Sequence, residues 1–130
     1  MEAKNFRIGN LLRSKKWGGI GQIEGIELTK DGFEIKVKGY VHKCERGKYF
    51  DLRPIELTGK ILEQLGFGKN EALYEFGDFA LKEWTVGRQE QWQVFLGNSH
   101  LGQFNDMAIH ELQNLFFALT GKELSIENVK

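Results

Sequence analysis

"TKDGFEIKVKGYV", residues 29–41, is the stretch on which the fold turns. Phe33, Ile35, Val37 and Val41 alternate with Glu34, Lys36, Lys38 and Tyr40, the period of two expected of a strand with one wet face. Asp31-Gly32 just before it is a hairpin signal, because both residue types accept the positive φ of a tight two-residue turn. Gln22–Leu28 and Phe33–Val41 are therefore expected to pair antiparallel.

Working outward, the same style recurs. "FRIGNLL" (6–12) is expected to be an earlier strand, with Ile8-Gly9-Asn10 at a bulge or bend. Pro54 lacks a ladder donor, which makes the segment around it an edge or a linker. Thr58 is then a good N-cap. Leu57 and Leu62 can staple across it, and Ile61, Leu62 and Leu65 form an apolar stripe up to a C-terminal Gly66, with Phe67 folding back. Further on, "FGDFALKEWTV" (76–86) and "QWQVFLG" (91–97) look like strands, followed by a turn at "NSH" and a short strand "LGQF" (101–104). The last helix is expected to be capped by Asn105 or Asp106, to run to about Thr120 and to stop at Gly121. The tail "ELSIENV" (123–129) has the composition to add one short strand.

These elements imply an α+β fold. Short, mostly antiparallel strands form a small barrel-like or curved sheet, with a short middle helix and a longer C-terminal helix. Residues 1–130 fit a single compact domain, with possible sub-halves at 1–57 (basic, β) and 58–130 (acidic, α+β), each a small sheet closed by a helix.

Hydrophobic residues make up 41% of the chain and aromatics 12%, the composition of a folded globule. The apolar run Leu115–Leu119 is far short of the ~20 residues of a membrane span. "MEAKNFRIGN" shows no apolar signal core, and Cys44 is the only cysteine, so a reducing cytoplasm is expected and an intrachain disulfide is excluded. Net charge is zero but uneven: residues 1–53 carry twelve Lys/Arg against seven Asp/Glu, and residues 54–130 carry six against eleven. Such a division fits either an ordinary mixed surface or a basic face turned to an anionic partner.

No P-loop or Gly-x-Ser-x-Gly pattern is present, and His42, His100 and His110 show no metal-ligand spacing, so no metal and no cofactor are expected. Cys44 in "HKCERGK" has positive neighbours that could activate a thiol, although a cysteine on a charged turn is more often a bystander. Two basic-aromatic segments are more informative. "LLRSKKWGGIGQ" offers Arg13, Lys15, Lys16 and Trp17 beside flexible glycines; "HKCERGKYFDLR" offers Arg46, Lys48 and Tyr49. Cations can neutralise phosphate and the rings can stack on a base, provided the two loops meet. Each loop alone is equally an ordinary soluble hairpin tip.

The closing helix, "HELQNLFFALTG" (110–121), has a core face of Ala108, Leu112, Leu115, Phe116 and Leu119. Its opposite face carries His110, Gln113, Asn114 and Phe117, amides with a ring, which suit an oligomer contact or a ligand wall as well as a bare surface.

"FRIGN", "PIELTGKILEQLGF" and "IHELQNLFFALTGKEL" resemble a family of small proteins from bacteriophages and prophages of the Bacteroidetes. The last motif is the most specific, through His110, Leu112, Gln113, Asn114, Leu115, Phe117, Ala118, Leu119, Thr120 and Gly121. The resemblance implies a phage context and host cytoplasm but no activity or site residue. A compatible role is anti-defence: a non-enzymatic, homo-oligomeric sponge that binds a small anionic, nucleotide-type immune signal. Arg13, Lys15, Lys16, Arg46 and Lys48 would meet phosphate, and Trp17 and Tyr49 would stack on the base. The alternative is an adaptor that inhibits a host protein through the His110/Gln113/Asn114/Phe117 face. Nucleic acid is disfavoured by the zero net charge, and hydrolysis through His42, His100 or His110 stays open.

Overall fold

Period-two patterning and tight turns produce two antiparallel sheets, each of five strands. A computed structural model of the chain describes residues 6–14, 19–30, 32–37, 40–45, 52–86, 89–126 and 129. The first sheet holds β1 (Leu11–Ser14), β2 (Ile20–Thr29), β3 (Gly32–Val37), β4 (Tyr40–Glu45) and β5 (Leu52–Arg53), in the order β4-β3-β2-β1-β5. The second holds β6 (Gly68–Asn70), β7 (Leu73–Phe76), β8 (Phe79–Val86), β9 (Gln89–Leu96) and β10 (Ser99–Asn105), in the order β10-β9-β8-β7-β6. Helix α1 spans Gly59–Gln64 and α2 spans Ile109–Thr120. The fold is α+β, with curved sheets that do not close into a barrel. The chain divides into two compact units, Met1–Ile55 with Ile109–Asn114, and Glu56–Ala108 with Leu115–Lys130.

In unit 1 the expected hairpin forms, with Thr29 opposite Gly32 and a bulge between Ile23 and Gly25. Phe33, Ile35 and Val37 point inward and meet Phe6, Leu12, Ile23 and Leu52 in one buried cluster. The expected strand Phe33–Val41 is cut short, however. It ends at Val37, and Tyr40 lies opposite Val37 on the next strand. Because β4 pairs Tyr40 with Val37 and His42 with Ile35, the inward parity passes from odd to even residues, so Val41 goes to the wet face (55% exposed) and His42 becomes half-buried. The stretch 6–12 is also not one strand: the chain turns at Ile8-Gly9 and β1 starts only at Leu11. Pro54 follows the two-residue edge strand β5, in keeping with its missing donor.

In unit 2, α1 is built as its sequence specifies. The Thr58 hydroxyl accepts from the Ile61 amide at 3.3 Å. At the other end, Gly66 adopts φ +99, its amide donates to Glu63 O (3.1 Å), and the Phe67 amide donates to Leu62 O (3.0 Å). The inner face of the second sheet carries Tyr74, Phe79, Leu81, Trp92 and Val94, all buried. Phe116 from α2 packs edge-on against Phe76 (5.4 Å) and Phe79 (5.3 Å). Strand β10 is longer than the expected 101–104.

Two expectations for the C-terminus need correction. Neither Asn105 nor Asp106 caps α2. Asp106 sits at φ +51, and the helix begins at Ile109, whose amide donates to Ile55 O at 2.8 Å. The amide of the first helical residue is thus met by a distant backbone carbonyl and not by either of these side chains. The helix does stop at Gly121, φ +73. Beyond it, the described tail residues form no strand, although Leu124 is buried.

Candidate functional site

Register brings the roots of the two basic-aromatic segments together. Arg13 on β1 is exposed, and its Cα partner across β5 is Arg53. Opposed residues of an antiparallel pair project on the same face, so two guanidinium side chains share one patch. Next to them, Ser14 lies opposite Leu52. The chain therefore leaves β1 and re-enters β5 at one end of the strand pair. Lys15, Lys16, Trp17, Arg46, Lys48 and Tyr49 themselves lie outside the described residues. Arg53 also donates to Leu52 O at 3.3 Å. Unit 1 as a whole carries twelve basic and eight acidic residues.

The polar side of α2 is turned largely into unit 1. Gln113 is 2% exposed: its side-chain carbonyl accepts from the Leu11 amide at 2.8 Å and its NH2 donates to Gly9 O at 3.0 Å. The Asn114 carbonyl accepts from Asn10 Nδ2 (2.8 Å) and from Arg7 Nε (3.0 Å). Asn10 is fully buried, and its own side-chain oxygen takes the Arg7 amide at 2.7 Å. Together these bonds hold the Arg7–Leu11 turn, where the strand expected from "FRIGNLL" is interrupted. His110 is 5% exposed and stacks at 4.9 Å on Phe6. Its Nδ1 has no hydrogen-bond partner among the described residues, and burial lowers its pKa below the ordinary 6.5. Phe117, on the unit 2 part of the helix, is 41% exposed. The amides were visible in the sequence, but their partners lie about a hundred positions away.

The region 68–104 gave no functional signal in sequence, yet it contains an open concavity of about 650 Å³. Ala80, Lys82 and Phe95 line it from the outward face of β8 and β9, and Glu71, Glu75 and Asp78 surround them. Further along that face, Lys82 Nζ lies 5.7 Å from the Trp84 ring centre, and Phe95 packs on His100 at 5.0 Å. Three carboxylates against one ammonium make this hollow unfavourable for phosphate.

The three histidines lie on three elements, His42 on β4, His100 on β10 and His110 on α2. Among the described residues no group of three His, Cys, Asp or Glu is placed to hold a metal ion, and no helix is long and apolar enough to cross a membrane. No family model, curated protein or solved structure matches the chain.

Proposed function

We propose that the protein is a non-enzymatic binding protein that sequesters a small nucleotide-type anion at the β1–β5 end of unit 1. The observation that carries this reading is the cross-strand pair Arg13–Arg53 beside the paired residues Ser14 and Leu52. Two guanidinium side chains on one face can each give a phosphate charge-assisted hydrogen bonds. In sequence, Lys15, Lys16 and Trp17 follow directly on β1, and Arg46, Lys48 and Tyr49 come shortly before β5. The phage resemblance supplies the setting, a sponge for an immune signal in the host cytoplasm. Binding is favoured over hydrolysis because the histidines are dispersed and His110 is buried against Phe6. The host-protein adaptor is less well supported, since Gln113 already uses its amide on Gly9 and Leu11.

The test is a thermal-shift screen against cyclic and linear nucleotide messengers, followed by heat release and mass spectrometry of the bound compound. The ligand should be recovered unchanged, and Arg13→Glu and Trp17→Ala should each weaken binding by roughly tenfold or more. Recovery of a cleaved product would make the protein an enzyme. Absence of any shift, or binding indifferent to both substitutions, would overturn the proposed site.

A further inference from the structure

Among the described residues the two sheets have four edge strands, and three of them carry short length, proline or lysine. Strand β5 has two residues and runs straight into Pro54. Strand β6 has three residues, with Lys69 at its centre. Strand β4 carries the exposed Lys43. Short length, proline, lysine and bulges are devices by which natural sheets avoid edge-to-edge association. Strand β10 has none of the first three and only a bulge, confined to its first half. It runs for seven residues, Ser99–Asn105, without Lys, Arg, Asp, Glu or Pro, and six of the seven are exposed. Leu101 is 46% exposed and Phe104 38%. One side of β10 pairs with β9; among the described residues nothing pairs with the other. Its single irregularity is the register shift between His100 and Gly102, which leaves Gly102–Asn105 as an uninterrupted ladder opposite β9.

We propose that β10 is a self-association edge, and that two copies of this chain join there by antiparallel β10–β10 pairing about a two-fold axis. The absence of charge argues for a second copy as the occupant. In a two-fold antiparallel pair each residue meets a residue of the same short stretch, so a strand bearing a charge near the axis would meet its own charge. β10 meets only amides, a hydroxyl, an imidazole, a glycine and the apolar Leu101 and Phe104. Pairing satisfies the outward backbone N–H and C=O groups and covers both apolar side chains. The inference is independent of the anion site, which lies in unit 1, so either can fail alone.

Sedimentation velocity on the whole chain, from low micromolar to near-millimolar concentration, reads the association directly. A monomer–dimer equilibrium is expected, with backbone amides of β10 exchanging more slowly as concentration rises. Leu101→Lys and Asn105→Lys, both at exposed positions, should each weaken the dimer by roughly tenfold or more. If Leu101→Lys unfolds the protein, Asn105→Lys and the concentration dependence of exchange in the unaltered chain still decide the matter. A monomer throughout the range, a dimer indifferent to both lysines, or β10 protection that appears only on adding an extended peptide would overturn it.

Discussion

Helix α2 meets unit 1 and unit 2 with different chemistry. Its first half, Ile109–Asn114, belongs to unit 1 and works through polar atoms: Gln113 and Asn114 clasp the turn at Gly9-Asn10 with bonds of 2.8–3.0 Å. Its second half belongs to unit 2 and works through a ring, Phe116 set edge-on to Phe76 and Phe79. A buried ring contributes mainly through apolar area and tolerates small shifts. A buried amide is directional, and it adds little net stability when satisfied but costs heavily when its partner is orphaned. The contrast teaches that one amphipathic pattern can hide two kinds of anchor, one supplying bulk stability and the other fixing register.

The strongest way to break this contrast is Phe116→Ala, which should destabilise the protein by about 3–5 kcal/mol in urea unfolding, as for other buried rings. A cost near that of a surface change would show that the ring cluster is not an anchor. Next, Gln113→Leu should cost about 1–3 kcal/mol, because it leaves the buried Leu11 amide without its acceptor, while the Gly9 carbonyl keeps the Gln22 side-chain amide as a donor. If Gln113→Leu costs no more than a surface change, the directional half of the contrast fails. Gly66→Ala should cost about 1–2 kcal/mol in unit 2, since φ +99 is strained for alanine and the new methyl would lie 3.2 Å from the Phe76 ring.

The smallest expected effect is on pH dependence. His110 is buried in unit 1 with its pKa lowered by desolvation, opposed in part by Glu111. The unfolded chain therefore takes up a proton near pH 6.5 while the folded chain does not, so stability falls as pH drops below about 6.5 and levels off below the folded value. Chemical denaturation at a series of pH values should show this slope, and His110→Phe should remove its share. Identical slopes in the two proteins would place the pH dependence elsewhere.

Local signals carried much of the fold. Alternation at Phe33–Val37, the antiparallel pairing of β2 with β3 and the Thr58-to-Gly66 frame of α1 each depend on residues only a few positions apart, and each is found, although Gly32 is a paired strand residue opposite Thr29. The errors arose where a distant partner changed the meaning of a local pattern. Val41 continued an alternation that the β3–β4 register, with Tyr40 opposite Val37, inverts. Asn105 and Asp106 looked like caps, but the helix takes its first acceptor from Ile55. The site was less legible. The basic residues could be named, but only the Arg13–Arg53 register shows that two segments share a root. The acidic hollow over Ala80 and Phe95 had no signature, because outward residues of a wet strand face read alike whether the face is flat or concave.

The α+β class, the antiparallel pairing and the short capped helix follow from local sequence. Period, turn chemistry and composition act over a few residues and need no knowledge of what lies across the fold. Long-range packing alone put His110 and Gln113 in the interior and left β10 at the edge of its sheet. Burial of a polar group depends on whether a donor or acceptor waits opposite it. For Gln113 those partners are the Gly9 carbonyl and Leu11 amide, brought within 3.0 Å by the packing of a helix that no local pattern could place.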